Sequence, residues 1–207
     1  MRVKVLFMDC ETNGLYADEC SVLSVSAIKT WIDIDTKEIR EVSRFQRYYF
    51  PKKNEVFNRE AVQVNGLSRQ VINEKRNGAT YPKTFKRDFE WNEYIKDIDL
   101  FVSHNIDFDK EFMILNRVKN SKYKRYFCTM KSNIYELKLE FEYDVPSDYG
   151  SYKYPSLSET ARYYQIEINP LKLHDSIYDS ELVLEIFKKM YEQDKVKLLR
   201  ATDCIIF

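Results

Sequence analysis

Residues 3–12 read Val3-Lys4-Val5-Leu6-Phe7-Met8-Asp9-Cys10-Glu11-Thr12. The run from Val3 to Met8 is short and mostly apolar, which predicts a buried strand. Asp9 and Glu11 follow at its end. Side chains two apart on a strand project to the same face. Two carboxylates about 4 Å apart, at an effective dielectric near 20, repel by roughly 4 kcal/mol. A cation between them turns that cost into a binding site, and hard oxygen ligands without Cys or His support suit magnesium or manganese. The D-x-E pattern is not specific, because it recurs at Asp88/Glu90 and Asp179/Glu181. Solvated surface charge is the better reading of Asp88/Glu90. It fits Asp9/Glu11 less well, given the six mostly apolar residues before Asp9.

Outward from this strand, Ser21 to Asp33 is β-branched and partly alternating, and Glu41 to Phe50 reads as a third strand after a turn at Asp35 to Glu38. Together the three predict a meander. Helical spacing follows at Arg59 to Val64, Ser68 to Lys75 and Thr84 to Lys96. Asp99 to Ser103 reads as a strand, and Phe108, Phe112, Leu115 and Val118 mark one face of a helix. A short strand is expected at Tyr126 to Cys128 and a helix near Met130 to Leu139. Phe141 to Pro155, rich in Tyr, Pro and Gly, reads as a loop. Helices are predicted at Ser156 to Tyr164 and Ser176 to Glu192, the latter with Leu182, Val183, Ile186, Phe187 and Met190 inward. The fold class is α/β, a mixed sheet covered by helices.

Length and composition bound the rest. The 207 residues predict one domain, 1–207, with a core of about 3–192 and a C-terminal tail of 193–207. Thirty-three basic residues balance 33 acidic ones. A protein that coats long nucleic acid is usually basic, so zero net charge argues against that mode. It leaves room for an enzyme that grips a strand end through metal ions and local contacts. Cys10, Cys20, Cys128 and Cys204 show neither zinc-site spacing nor a disulfide framework. They point to a reducing, cytoplasmic setting. No signal peptide or membrane-spanning run is read from the chain, so no membrane partner is expected.

Two further segments carry polar chemistry. Ser103-His104-Asn105-Ile106-Asp107-Phe108-Asp109 lies where a strand gives way to a helix, where ligands of α/β sheets usually bind. Taken alone, Asp107 and Asp109 read better as acids that stabilise a helix N-terminus. Leu173-His174-Asp175-Ser176-Ile177-Tyr178-Asp179 opens the last helix. Both histidines have an Asp five positions on, so spacing cannot rank them.

Taken together and in order, these segments resemble the three motifs of the DEDD exonucleases, in the subgroup with a catalytic histidine. That group includes the proofreading subunit of bacterial DNA polymerase III, RNase T, oligoribonuclease and the TREX nucleases. Phe7 to Leu15 resembles the first motif, Ser103-His104-Asn105 with Phe108-Asp109 the second, and His174 with Asp179 the third. Val64-Asn65-Gly66-Leu67-Ser68 is similar to the family's His-Gly-Ile-Thr turn, with Asn65 in place of His. The resemblance covers about residues 3–192.

The resemblance implies an RNase H-like fold, a mixed five-stranded sheet with helices on both sides, and two magnesium ions for which manganese substitutes. Asp9 would bridge both metals. Glu11 and Asp179 would help hold the one carrying the attacking water, and Asp109 the other through water. His174 would be the general base, while His104 would hold the turn that presents Asn105 and Asp109. Substrate contacts implied are Thr12 and Gly14 by backbone at the terminal 3′-hydroxyl, Leu15 and Phe108 as wedges, Asn105 at sugar or phosphate, and Leu67. For Leu15 and Phe108, core packing is an equal reading.

The expected activity is 3′–5′ hydrolysis at a nucleic-acid 3′ end, DNA favoured over RNA, giving 5′-mononucleotides. A polymerase or other replication or repair protein is the expected partner. The rival within the same chemistry is an exoribonuclease of RNase T or oligoribonuclease type. The rival of another class is a non-catalytic nucleic-acid-binding or polymerase-associated module.

Overall fold

The computed structural model describes residues 1–119, 124–141 and 151–198. Strand β1 (Arg2–Thr12) outruns the apolar stretch that predicts it and includes Asp9 and Glu11. Its side chains alternate between two cores. Val3, Val5 and Phe7 enter one; Leu6, Met8 and Cys10 enter the other. This is why the run is continuously apolar: a central strand covered on both faces has no solvent side.

β2 (Val22–Asp33) pairs antiparallel with β1, and β3 (Ile39–Tyr48) pairs antiparallel with β2. On the other side β4 (Leu100–Ser103) runs parallel to β1, and β5 (Arg125–Cys128) parallel to β4. The sheet order is β3-β2-β1-β4-β5. A parallel neighbour requires a crossover. Helices α1 (Arg59–Asn65), α2 (Arg69–Arg76) and α3 (Phe89–Ile95) lie within the segment joining β3 to β4. The expected mixed five-stranded sheet with helices on both sides is the observed one.

One face is covered by α7 (Leu157–Tyr163) and α8 (Ser176–Glu192). Phe187 of α8 meets Phe7 edge-on at 5.1 Å and Phe127 at 5.6 Å. The opposite face is covered by α3 and α4 (Ile106–Leu115), where Trp91 packs against Phe45 at 5.0 Å. Such edge-to-face pairs favour the positive ring edge on a negative ring face. They use much of the chain's aromatic content. All five residues expected to face inward from α8 are buried.

The expected helix from Thr84 to Lys96 is divided. A 3-10 turn, Phe85–Arg87, stops at Asp88, which is extended and caps α3 through the Glu90 N–H. The solvated reading of Asp88/Glu90 fails for Asp88. Asp88 is buried and accepts from Arg47 Nη1 at 2.9 and 2.7 Å and from the Tyr49 hydroxyl at 2.8 Å. Glu90 is exposed, as expected, and pairs with the same Arg47. The expected helix near Met130 to Leu139 is two short ones, α5 (Thr129–Ser132) and α6 (Ile134–Leu137), with Asn133 between them. Buried Asn133 donates to the Thr129 carbonyl at 2.7 Å and accepts from the Tyr164 hydroxyl at 2.7 Å.

Most of the expected loop Phe141 to Pro155, with Tyr143 and Tyr149, falls outside the described residues, as do Cys204 and the Ile205-Ile206-Phe207 end of the tail. Cys10, Cys20 and Cys128 are free thiols. Among the described residues no helix is long and apolar enough to cross a membrane.

Candidate active site

Asp9 and Glu11 lie on the α8 face of β1, in line with Phe7, which already touches α8. The β1–β2 register slips between Glu11 and Thr12, a bulge beside the second carboxylate. Bulges re-aim side chains and recur next to active sites. In the ladder, Asp9 faces Ser26 and Glu11 faces Ser24. Those two serines receive the first turns of α8. The Ser176 hydroxyl lies 2.6 Å from that of Ser24 and 2.7 Å from that of Ser26, and the Ser180 hydroxyl donates to the Ser26 carbonyl at 3.3 Å. Small polar side chains at this seam let the helix approach the sheet closely. Asp179, between Ser176 and Ser180 in sequence, is thereby brought beside Glu11.

Asp179 is 6% exposed. Its Oδ2 accepts the His174 main-chain N–H at 3.1 Å, while its Oδ1 is buried with no protein partner. His174 has a left-handed backbone, φ 66°, and an exposed side chain. Glu11, His174 and Asp179 each offer a ligand atom, and these atoms lie within 4.8 Å of one another. The αL conformation turns the chain into α8 and places one residue both against Asp179 by its backbone and against the carboxylates by its ring.

Asp109 comes from the third element. Asn105, with φ 70°, turns the chain from β4 into α4, and Asp109 points from the first turn of α4 toward β1. Its Oδ1 accepts the Cys10 main-chain N–H at 3.0 Å and its Oδ2 the Ser103 hydroxyl at 2.6 Å. β1 runs on beyond the stretch paired with β4, so the Cys10 N–H has no strand partner on that edge and Asp109 supplies the acceptor. Asp109 is therefore not a helix cap, and neither is exposed Asp107, which pairs with Lys131.

The electrostatics are those of a crowded anionic pocket. Burial pushes the Asp9 carboxyl well above the usual carboxylate range, and the negative charges of Glu11, Asp109 and Asp179 push it further. Burial and then the charge of Asp179 raise Glu11 to about 8, against a hydrogen bond from Asn65. Burial raises Asp179 to about 7 and Asp109 to about 6, each opposed by the hydrogen bonds it accepts. Such a set is stable as anions only with added positive charge. The orphaned Oδ1 of Asp179 and the all-oxygen carboxylate set fit a hard divalent cation.

His104 has a different environment. Its Nε2 lies 2.9 Å from the Pro155 carbonyl and its Nδ1 3.0 Å from the Thr129 hydroxyl. Because a carbonyl only accepts, Nε2 carries the proton and Nδ1 accepts from Thr129. Burial lowers its pKa to about 4. Both nitrogens are used in holding the β4–α4 turn.

Beside Glu11 opens a cleft of about 590 Å³, bordered by Thr12, Gly14, Leu15, Asn65 and Phe108. Leu15 is 75% exposed at its mouth, and Phe108 is half-buried, packed on Phe112 at 4.9 Å. A Cβ at Gly14 would lie 2.6 Å from Cys20 Sγ, so any larger residue there must displace the Cys20 side chain. Thr12 is buried and its hydroxyl donates to the Gly14 carbonyl at 2.6 Å. Asn105 is exposed. Leu67 is buried in a small core with Leu23, Tyr48 and Ile72, and borders a separate cavity of about 150 Å³ with Glu11 and His174.

Asn65, read in the sequence as standing in place of the family's His, donates to the Thr12 carbonyl at 3.0 Å and bonds Glu11, tying the α1–α2 turn to β1. One set of supporting residues escapes the sequence reading, the serines of β2 and α8. Their signal is Ser24/Ser26 at strand spacing and Ser176/Ser180 at helical spacing, on faces otherwise apolar.

The sheet order, the helices on both faces and the acids at the β1 end define an RNase H-like nuclease fold. The chain belongs to the DEDD exonucleases: the exonuclease family model RNase_T matches residues 6–187. It is similar to the DNA polymerase III PolC-type of Staphylococcus haemolyticus, 24% identical over 90% of this chain and 11% of the polymerase, and to that of Staphylococcus aureus, 25% identical over the same shares. The chain thus spans about a tenth of the length of these relatives. Among solved structures it superposes on the zinc-bound Escherichia coli exonuclease I–single-stranded DNA complex with a TM-score of 0.63. That match has 16% identity over 92% of this chain and 41% of that one. Cell-death related nuclease 4 gives 0.63 and 18%, over 92% of this chain and 64% of that one.

Proposed function

We propose that this chain is a divalent-metal-dependent 3′–5′ exonuclease of the histidine-containing DEDD subgroup, removing 5′-mononucleotides from the 3′ end of DNA. The observation that carries the reading is Asp9, Glu11, Asp109 and Asp179 gathered from β1, α4 and α8, with Asp179 Oδ1 unpartnered in a buried pocket. Family membership and the likeness to PolC-type polymerases support the choice of reaction and of DNA. By the same likeness, the chain works in association with a replication or repair protein.

The four carboxylates would hold two magnesium ions, with manganese able to substitute. Bound there, the ions supply charge neutralisation on the phosphodiester and acidify water at neutral pH. The chain's own groups do the rest. His174, exposed within reach of Glu11 and Asp179, takes the proton from the attacking water as general base. Its main-chain N–H fixes Asp179, so the base and a ligand keep their relative position. The Thr12–Gly14 backbone meets the terminal 3′-hydroxyl, Asn105 meets sugar or phosphate, and exposed Leu15 with Phe108 wedges the terminal bases in the cleft. Leu67 contributes from beneath, by backing the Asn65–Gly66 turn.

The test is the cleavage pattern of a 5′-labelled 20-nucleotide single strand, as DNA and as matched RNA, with magnesium and with chelator. A ladder that shortens from the 3′ end, metal-dependent and faster on DNA, is expected. Early release of the label as a mononucleotide overturns the polarity, and faster cleavage of RNA overturns the substrate.

A further inference from the structure

On the far side of the Cys20–Ser21 backbone from the catalytic cleft lies a second groove, of about 600 Å³. Lys52, Lys53, Lys83, Lys86 and Arg87 border it, and no Asp or Glu does. All five are exposed. The chain's charges balance overall, and its other basic residues form many ion pairs with acids. Among the described residues none of these five has an acidic partner. Lys52 Nζ reaches only the Asp18 carbonyl, at 3.5 Å. Five like charges around a groove lined by no acidic residue repel one another, and a polyanion relieves that repulsion.

The groove is built rather than incidental. The Phe50 N–H donates to the Lys83 carbonyl at 2.8 Å, joining its two walls. Glu55 accepts from the Ser21 N–H and hydroxyl and from the Asn13 amide, pinning the ridge between groove and cleft to the first motif. Phe50 and buried Phe85 form an apolar floor. Cys20 borders the cleft and its neighbour Ser21 borders the groove, so the two meet at one ridge.

We propose that this groove binds the phosphodiester backbone of the same polynucleotide strand, upstream of the 3′ end being cut. The proposal rests on the exonuclease reading for what occupies the cleft, and it deepens it. The basic surface lies at one end of the sheet, beside the starts of β2 and α3. That explains how a chain of zero net charge holds a polyanion: the positive charge is local. Its contacts are to phosphates, so they carry no base specificity. They raise affinity for long strands and leave a dinucleotide unaffected, because a dinucleotide ends within the cleft.

The test compares wild type with the Lys83→Gln/Lys86→Gln/Arg87→Gln variant. Binding of a fluorescein-labelled (dT)20 is read by anisotropy in calcium at 50–200 mM salt, and turnover of pdTpdT is read in magnesium. For a single strand, the salt slope is about 0.7 per neutralised phosphate. Five contacts predict roughly a hundredfold loss of wild-type affinity across that salt range, and two remaining contacts only about sevenfold. The variant should bind (dT)20 at least tenfold more weakly at 50 mM and turn over pdTpdT at the wild-type rate. Unchanged (dT)20 affinity and salt slope in the variant overturn the groove. So does tighter wild-type binding of a poly-glutamate of equal charge, which would make the occupant an acidic protein. If wild type cleaves neither substrate yet the variant loses (dT)20 binding, the groove stands and the exonuclease reading falls.

Discussion

His104 and His174 share the same spacing to an Asp, and only their surroundings separate them. Both ring nitrogens of His104 are engaged, by Pro155 and Thr129, and burial keeps it neutral. The ring of His174 is exposed beside two carboxylates. His174→Ala should therefore lower single-turnover cleavage by about a hundred- to ten-thousand-fold while the melting temperature holds. His104→Ala should instead lower stability, by leaving the Pro155 carbonyl without its donor and the Thr129 hydroxyl with only the Ser103 carbonyl, at 3.4 Å. Its pH signature follows from a folded pKa of about 4, below the unfolded value near 6.5. The unfolded state then binds more protons between those values, so this histidine's contribution is present above about 6.5 and lost as pH falls toward 4. His104→Gln should flatten that part of the melting profile. A dead His104→Ala of wild-type stability, with an active His174→Ala, would reverse the assignment. The motif order made both histidines visible in the sequence, but the ring partners of His104 lie 25 and 51 positions away, and Glu11 lies far from His174 in the chain, beyond any local pattern.

Elements with a plain hydrophobic signature were legible: the apolar run of β1, the β-branched run of β2 and the inward face of α8 fall where expected, although β1 runs on past Met8 to Thr12. The Thr84–Lys96 segment was not, because its break depends on a distant partner. Asp88 is drawn inward by Arg47 and Tyr49 on and just after β3, about 40 residues earlier, and a carboxylate so held cannot remain within a continuous helix. The same contact explains why two identical D-x-E patterns behave differently. Asp88→Ala should cost about 3–5 kcal/mol, since it leaves Arg47 partly buried without its main counter-charge. Glu90→Ala, at the exposed end of the same pair, should cost about 0–1 kcal/mol. Denaturant titration of the two variants checks this, and equal losses would mean that Asp88 is not the anchor. The serine seam was equally hidden, since Ser24, Ser26, Ser176 and Ser180 have meaning only once α8 lies on β2.

At the scale of the molecule, the sheet spends folding free energy to bring four acids together, a cost that the proposed cations would offset. Glu11, Asp179 and Asp109 have folded pKa values of about 8, 7 and 6, above their unfolded values near 4. Between those limits the folded state holds more protons than the unfolded one. Their contribution to stability is thus fully present below about pH 4 and is lost as pH rises through 6 to 8. The metal-free protein should melt at lower temperature at pH 8 than at pH 6. Magnesium, binding the ionised acids, should restore most at the higher pH. At about 100 times its dissociation constant it adds roughly 2.7 kcal/mol, which is about 5–10 °C for a chain of this size. The most direct test is therefore the melting temperature at pH 8 with and without magnesium, in wild type and in Asp9→Ala. The account predicts a rise of that size in wild type that is absent in Asp9→Ala. A wild-type melting curve indifferent to both magnesium and manganese would contradict it.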